Sequence, residues 1–189
     1  DIDGDGDEDF FLGGGAGYLG TLIINQGAGK YTTQPFTAAS AHKTSEDLGA
    51  LFFDCDGDND LDLVVASGSV EHPPANPAYA DRMYLNDGKG YFVPAKSGSL
   101  PTNLDSSSVI ATADFDRDGD LDLFIGGRGV PGAYPTASSS RLLRNSNGKF
   151  TDVSKLSPAL TEKRIVTGAI WSDADGDGWV DLLISTEWG

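Results

Sequence analysis

The sequence has one cysteine, two histidines and no long hydrophobic run. A single thiol, Cys55, excludes an intrachain disulfide, and we expect it to pack as a small buried residue. No stretch approaches the roughly 20 apolar residues of a transmembrane helix, so no membrane span is predicted. Neither His42 nor His72 lies in an H-E-x-x-H motif, and no G-x-S-x-G nucleophile elbow occurs. We therefore expect no enzymatic activity from this segment.

Basic residues are also scarce. The chain of 189 residues has 13 lysines and arginines against 29 aspartates and glutamates, and its formal net charge is −16. This balance argues against nucleic acid and anionic membranes as partners, because both carry negative charge themselves. It favours cations, basic proteins or neutral sugars. With 39% hydrophobic residues the chain can still bury a core, so general disorder is not expected.

Four acidic stretches divide the sequence into repeats. They read DIDGDGDED, DCDGDNDLD, DFDRDGDLD and DADGDGWVD, and we name them acidic loops 1 to 4, residues 1–9, 54–62, 114–122 and 173–181. Their starts are 53 to 60 residues apart, a period typical of propellers and solenoids. Counted from these loops, the repeats are about 1–53, 54–113, 114–172 and a partial 173–189.

Short apolar runs surround each acidic loop. FFLGGG, LDLVVAS, LDLFIGG and DLLIST follow the loops, and further on an apolar run leads into an Asn/Gly-rich turn and an aromatic residue, as in RMYLNDGKGYF. This is a hairpin signal, and no segment keeps a helical period. We therefore predict an all-β fold with four short antiparallel strands per repeat, A to D, as in a β-propeller blade. A parallel β-helix is the competitor, but its coils are much shorter than these repeats.

The strand pattern does not make a closed ring. Three strands in the first repeat, eight in the next two and two in the last give thirteen, or about three blades and one strand. Propellers need at least about four blades. We expect residues 1–189 to form part of a single β-propeller, as a fragment of a longer protein. The alternative is a subunit that associates with its own copies through exposed strand edges.

The acidic loops share a ligand pattern. Aspartate occupies positions 1, 3, 5 and 9 of each loop, and a tight loop turns alternate side chains inward. Position 7 is variable, which fits a ligand that uses its main-chain carbonyl. Position 6 is glycine or asparagine, the residues that tolerate the left-handed conformation of a sharp turn. The candidate metal ligands are therefore Asp1, Asp3, Asp5, Asp7, Asp9, Asp54, Asp56, Asp58, Asp60, Asp62, Asp114, Asp116, Asp118, Asp120, Asp122, Asp173, Asp175, Asp177, Trp179 and Asp181.

Carboxylates that converge without a cation repel each other, and their pKa values rise. Oxygen donors in a flexible loop favour Ca²⁺ over Mg²⁺, which prefers fewer protein ligands, so we predict up to four calcium sites. The loops are not EF-hands, because position 12 is apolar rather than glutamate and the flanks are strands. Arg117 in loop 3 is expected to be a surface charge that softens that site. The alternative of plain solvated turns is disfavoured by four copies in the same phase.

The D-x-D-x-D-G-x-x-D loops, with their flanking strands, resemble the FG-GAP/VCBS repeats of integrin α-like β-propellers over essentially the whole chain. This resemblance implies a seven-bladed propeller with calcium in the A–B loops, an extracellular setting and a binding role. The stretches LDLFIGGRGVPGAYP and LLRNSNGKFTDVS are also similar to bacterial secreted VCBS-repeat proteins that accompany an ASPIC/UnbV-type domain. The narrower resemblance implies a bacterial secreted or cell-surface protein.

Strand alternation places the A–B and C–D turns on one rim and the long insertions, residues 67–82 and 126–141, on the other. Variable loops on a rigid scaffold are where recognition usually resides. We predict a protein or glycan ligand on the face opposite the calcium loops, and each candidate contact could instead be a loop-packing residue. The candidates are His72, Tyr79, Arg128 and Tyr134.

Three functions remain open from the sequence. The first is a calcium-stabilised extracellular binding or adhesion module. The second is a structural subunit of an extracellular filament or surface assembly. The third is the propeller part of a secreted carbohydrate-active enzyme whose catalytic groups lie elsewhere.

Overall fold

The computed structural model describes residues 1–42 and 44–187, whose strands form four antiparallel sheets. Sheet 1 contains β1 (Phe10–Leu12), β2 (Thr21–Asn25) and β3 (Tyr31–Pro35). Sheet 2 contains β4 (Glu46–Phe53), β5 (Asp62–Gly68), β6 (Arg82–Leu85) and β7 (Val93–Pro94). Sheet 3 contains β8 (Ser107–Ala113), β9 (Asp122–Gly127), β10 (Arg141–Arg144) and β11 (Thr151–Asp152), and sheet 4 contains β12 (Val166–Ser172) and β13 (Asp181–Thr186). Short 3₁₀-helices lie in the connections, at Thr37–His42, Pro77–Tyr79, Ser154–Leu156 and Pro158–Thr161.

Consecutive strands are hydrogen-bonded neighbours, so each sheet is an up-and-down meander. The predicted all-β fold, with thirteen strands divided three, four, four and two, is confirmed for the described residues. Acidic loops 2, 3 and 4 join the first two strands of sheets 2, 3 and 4, and loop 1 leads into β1. Sheets 2, 3 and 4 therefore each begin one strand before the acidic loop from which a repeat was counted.

The first strands of sheets 2, 3 and 4 share an irregularity near their starts. The pairing of β4 with β5 shifts between Asp47 and Gly49, and β8 and β12 shift at the equivalent point. At Gly49 an added Cβ would lie 2.4 Å from the carbonyl oxygen of Ser108 in sheet 3. Only glycine allows the first strands of neighbouring sheets to approach this closely.

The hydrophobic core lies between neighbouring sheets. Side chains alternate along β5, where Leu63 and Val65 pack in the cluster shared with sheet 1, while Val64 and Ala66 pack in the cluster that reaches sheet 3. Because β5 has a sheet on both sides, all seven of its residues are buried. This two-sided burial explains why its sequence is a continuous apolar run rather than an alternating one.

Position 2 of acidic loops 1 and 2 also enters the core. Ile2 and Cys55 are each 1% exposed, and Cys55 packs with Phe53 and Leu143 between sheets 2 and 3. Burial raises the pKa of the Cys55 thiol, and the carboxylate of Asp62 raises it further. The prediction that Cys55 is a small packing residue is confirmed.

Two buried ion pairs fasten the sheets on the side away from the acidic loops. The Arg82 guanidinium contacts Asp47 at 2.5 Å, and Asp47 also accepts a hydrogen bond from the backbone N–H of Gly14, which lies between β1 and β2. Arg141 of sheet 3 pairs with Asp81, which precedes β6 of sheet 2. The sequence pattern gave no sign of these pairs, because each joins residues 35 or more positions apart.

Candidate metal sites and the opposite rim

Position 1 of each acidic loop ties the loop into a turn. In loop 2, Oδ1 of Asp54 accepts a hydrogen bond from the Gly57 N–H at 2.8 Å, and Oδ2 accepts one from the Asn59 N–H at 3.0 Å. Asp1, Asp114 and Asp173 accept backbone hydrogen bonds at the same offset of five residues. The local sequence therefore folds each loop around its first carboxylate.

Position 6 adopts the left-handed backbone in all four loops, as predicted. The φ angles are 91° at Gly6, 69° at Asn59, 100° at Gly119 and 86° at Gly178. Position 4 is left-handed as well, which was not predicted although three of the four residues there are glycine. The exception is Arg117, with φ of 62°.

Position 9 closes each loop from the other side. In loop 2, Oδ2 of Asp62 accepts from the N–H of Cys55 at position 2, and Oδ1 accepts from the N–H of Asn86 at the end of β6. Asp9 and Asp122 make the same two contacts in loops 1 and 3, and Asp181 makes the first of them in loop 4. Position 9 is thus a structural acceptor as well as a candidate ligand.

In every acidic loop, three aspartates bring carboxylate oxygens within 4.8 Å of one another. The trios are Asp1, Asp3 and Asp5; Asp54, Asp56 and Asp58; Asp114, Asp116 and Asp122; and Asp173, Asp175 and Asp181. The predicted convergence of positions 1, 3 and 5 is thus seen in loops 1 and 2, whereas loops 3 and 4 bring positions 1, 3 and 9 together.

Position 3 differs from its neighbours because it has an unused oxygen. The Oδ1 atoms of Asp3, Asp56 and Asp116 are buried and have no hydrogen-bond partner among the described residues. A buried carboxylate oxygen without a donor is costly, and it is uncommon in native proteins. These three atoms fit a site whose remaining partner is a cation.

The pKa values of the loop aspartates also support a bound cation. Burial raises the pKa of Asp56, and the carboxylates of Asp62, Asp58 and Asp54 raise it further. Burial also raises the pKa of Asp122, to about 6. Loops 2 and 3 thus disfavour their own negative charge at these positions, which is the condition that a bound cation relieves. Arg144 beside loop 3 is 4.0 Å from Asp116 and half exposed.

The turns between the last two strands of sheets 1, 2 and 3 lie on the same rim as the acidic loops. The N–H of Asn147 donates to Asp120, and a Cβ added at Gly88 would lie 2.4 Å from the Asp60 carboxylate. Strand alternation predicted this shared rim. The part played by Asn86 and Asn145, whose side chains reach the acidic loop of the preceding sheet, was not predicted.

At the opposite rim, the candidate ligand contacts separate into two pairs. The Tyr79 hydroxyl donates to the carbonyl of His72 at 2.6 Å, and the His72 N–H donates to the Tyr79 oxygen at 3.0 Å. Tyr79 is 0% exposed. The prediction that Tyr79 contacts a ligand is therefore corrected: its ring is a packing element that shapes the loop around His72.

Arg128 and Tyr134 are both exposed and lie near Glu187, which follows β13. The Tyr134 hydroxyl donates to Glu187 Oε1 at 2.8 Å. Arg128 and Glu187 line a cavity of about 270 Å³ together with Leu48, Ser108, Ile165 and Thr167. Of the four candidates, Arg128 thus lines this cavity, and Tyr134 is linked to it through Glu187.

An all-β repeat fold whose loops each gather three carboxylates defines a class of repeat protein with candidate divalent-cation sites. Residues 1–65 and 54–125 match the family described as FG-GAP-like repeat. These stretches cover more than half of the chain, and the chain belongs to the FG-GAP-like repeat family. This confirms the FG-GAP part of the resemblance predicted from the acidic loops.

Curated relatives include cartilage acidic protein 1 from mouse, 30% identical over 171 residues, and from human, 28% identical over 173 residues. Each alignment covers 87% of this chain but 24% of the relative. The chain therefore spans about a quarter of the length of the curated relatives it matches. Among the described residues, no helix has the length and apolarity needed to span a bilayer.

Proposed function

We propose that this chain is a calcium-stabilised extracellular binding module. The observation that carries the proposal is the buried Oδ1 of Asp3, Asp56 and Asp116, each without a donor and each inside a trio of converging carboxylates. Backbone N–H groups donate hydrogen bonds to the carboxylates at positions 1 and 9. The Oδ1 atom of the position 3 aspartate has no such donor, and a cation would be its partner.

The residues present fit a hard cation with oxygen ligands. Positions 1, 3, 5 and 9 would supply carboxylate oxygens, and position 7 would supply its carbonyl. Trp179 at position 7 of loop 4 is consistent with a main-chain ligand, since its side chain has no oxygen. Bound calcium would neutralise the carboxylates and hold the two ends of each loop together.

We propose that the sheets are blades of a β-propeller, because the repeat positions that are buried in the middle of the chain are exposed at its ends. Leu63 and Val65 of β5 are 0% and 1% exposed, whereas the equivalent Phe10 and Leu12 of β1 are 52% and 61% exposed. On the outer face of sheet 4, Ile170 and Leu183 are cross-strand partners and are also exposed. Further sheets on both faces would extend the same packing toward a ring.

The extracellular setting rests on the family and on calcium levels. FG-GAP repeats are associated with extracellular binding modules, and the name of the mouse and human relatives refers to cartilage. Sites with a Kd near 10⁻⁴ M would fill outside the cell, where calcium is about millimolar. The bacterial origin implied by the narrower resemblance stays a prediction, as does the absence of catalysis.

The ligand would bind the rim opposite the acidic loops. Arg128 and Glu187 line a cavity there on a rigid strand scaffold, and Tyr134 donates a hydrogen bond to Glu187. Aromatic and arginine side chains suit protein or glycan partners. A structural subunit is the second candidate function, favoured by the exposed apolar outer faces of sheets 1 and 4. Sedimentation of the purified protein separates the two, because self-association is expected only for the subunit.

Calcium removal tests the central proposal. With a Kd of about 10⁻⁴ M and millimolar calcium, each site stabilises the fold by about 1.4 kcal/mol. Four sites then add roughly 6 kcal/mol, similar to the lower end of the stability of a whole domain. EDTA should lower the melting temperature sharply, and titration calorimetry should count up to four ions, with magnesium as the weaker competitor. A melting temperature indifferent to EDTA, with no heat of calcium binding, would refute calcium stabilisation.

A further inference from the structure

Asn86 and Asn145 each bridge two sheets through one side-chain amide. The Nδ2 of Asn86 donates to the Ile2 carbonyl in loop 1 at 2.8 Å and to the Leu61 carbonyl in loop 2 at 3.2 Å. The Nδ2 of Asn145 makes the equivalent bonds one sheet further on, to loop 2 at 2.8 Å and loop 3 at 3.0 Å. Both asparagines are buried, at 8% and 2% exposure.

The backbone of the same asparagines contacts the position 9 carboxylates. The N–H of Asn86 donates to Asp62 at 2.9 Å, and the N–H of Asn145 donates to Asp122 at 2.8 Å. One residue therefore touches the position 9 carboxylate of its own sheet's loop and the position 2 carbonyl of the preceding loop. In each preceding loop, that carbonyl belongs to the peptide that leads into the position 3 aspartate.

The turn that follows each asparagine lies against that aspartate. A Cβ added at Gly148 would be 2.9 Å from the Asp56 Cβ, and one added at Gly90 would be 3.7 Å from the Asp3 Cβ. These are the aspartates whose Oδ1 atoms are buried without a donor. The outer wall of loops 1 and 2 is thus supplied by the following sheet.

We propose that Asn86 and Asn145 are positioning residues that couple calcium binding in one loop to the packing of the next sheet. This inference rests on the calcium sites proposed above. Without the cation, the crowded carboxylates favour opening of the loop, which would pull the position 2 carbonyl away from the amide. A cation and the asparagine bond both favour the closed loop, and two interactions that favour one state strengthen each other.

Asn25 provides a matched control for the two bridging asparagines. It occupies the same position at the end of β2, and its N–H donates to Asp9 in the same way. Its side-chain oxygen accepts from Gly27 in its own turn, and the described residues place no preceding loop beside it. Asn25→Ala therefore removes the same side chain without removing a bridge between sheets.

The test compares Asn86→Ala, Asn145→Ala and Asn25→Ala in the complete chain, each melted in saturating calcium and in EDTA and titrated with calcium. For the two bridging variants we expect calcium binding at one or more sites to weaken about fivefold, the low end of usual coupling strengths. The calcium-dependent rise in melting temperature should shrink with it, whereas Asn25→Ala should keep both. Where an alanine variant does not fold, Asn→Ser at that position replaces it, because a small polar group leaves room for water at the carbonyls.

A purely structural role predicts a different result. If both bridging variants lose equal melting temperature with and without calcium, and bind calcium like the unmodified protein, the coupling is refuted while the calcium sites stand. If the unmodified protein binds no calcium, the proposed function and this inference fail together.

Discussion

The guanidinium of Arg117 lies over the indole ring of Trp179, with its central carbon 3.7 Å from the ring centroid. Its terminal nitrogen also donates a hydrogen bond to the carbonyl of Gly178. Arg117 is at position 4 of loop 3, where the other loops have glycine, and Trp179 is at position 7 of loop 4, where they have aspartate. The two departures from the repeat pattern are therefore partners, and Arg117 does more than soften the charge of its own loop.

This pair should show a measurable coupling energy. Exposed cation–π contacts contribute about 0.5–1 kcal/mol, so Trp179→Ala should lower the free energy of unfolding by that amount. In an Arg117→Gly background the same change should cost less, because the partner is already absent. Urea unfolding of the four proteins in saturating calcium measures the cycle. Equal costs of Trp179→Ala in both backgrounds would show that the two side chains do not interact in solution.

The sequence could predict the fold because its signals are local and repeated. Four copies of an acidic loop in constant phase with short apolar runs fix the strands, and all thirteen are found. The ion pair of Arg141 with Asp81 is different, since it joins residues 60 positions apart and only tertiary packing places them together. The burial of Tyr79 was not predicted for a related reason. An aromatic residue in a long insertion can pack inward or face a ligand, and the sequence does not distinguish the two.

Residue type and spacing likewise predict the metal-binding pattern. They do not predict the structural role of each position in the loop. Both position 3 and position 9 are aspartate, so the sequence does not show that position 3 has an unused oxygen while position 9 accepts two backbone hydrogen bonds. The bridging role of Asn145 was equally invisible, because an asparagine before a glycine-containing turn is explained by the turn alone.

Because positions 3 and 7 of loop 2 are expected to bind calcium through different atoms, two isosteric substitutions there should differ in their effect on calcium binding. Asp56→Asn alters the carboxylate with the unused oxygen, and it should remove about one bound calcium ion. Asp60→Asn removes the same charge from the same loop, but position 7 is expected to bind through its carbonyl, so the ion should remain. Calorimetric stoichiometry distinguishes the two. Loss of one ion from both variants would mean that total loop charge, rather than the position 3 oxygen, controls binding.

Gly148 should tolerate alanine poorly. Its φ is 79°, which costs an L-residue about 1–2 kcal/mol, and the new methyl group would lie 2.9 Å from the Asp56 Cβ in the preceding sheet. Gly29 has nearly the same φ, 75°, but nothing within 4 Å of an added Cβ. Gly148→Ala should therefore destabilise the protein by roughly 1–3 kcal/mol more than Gly29→Ala, by overpacking. Chemical denaturation gives the difference, and equal losses would mean that the turn moves freely away from loop 2.

The blade arrangement makes one more quantitative prediction, at repeat position 10. Leu63 is 0% exposed between sheets 1 and 2, so Leu63→Ala should lower the free energy of unfolding by about 2–5 kcal/mol. Phe10 occupies the same repeat position but is 52% exposed, so Phe10→Ala in this chain should cost less than about 1 kcal/mol.

The same two substitutions then test whether a further sheet packs on sheet 1. In a longer form of the protein that carries another repeat before residue 1, Phe10 would be covered as Leu63 is covered here. The cost of Phe10→Ala should rise to that of Leu63→Ala, because burial on both sides rather than residue type sets the penalty. Urea unfolding of both lengths provides the comparison. If the cost at Phe10 stays small in the longer protein, the sheets do not stack as successive blades and the propeller arrangement is wrong.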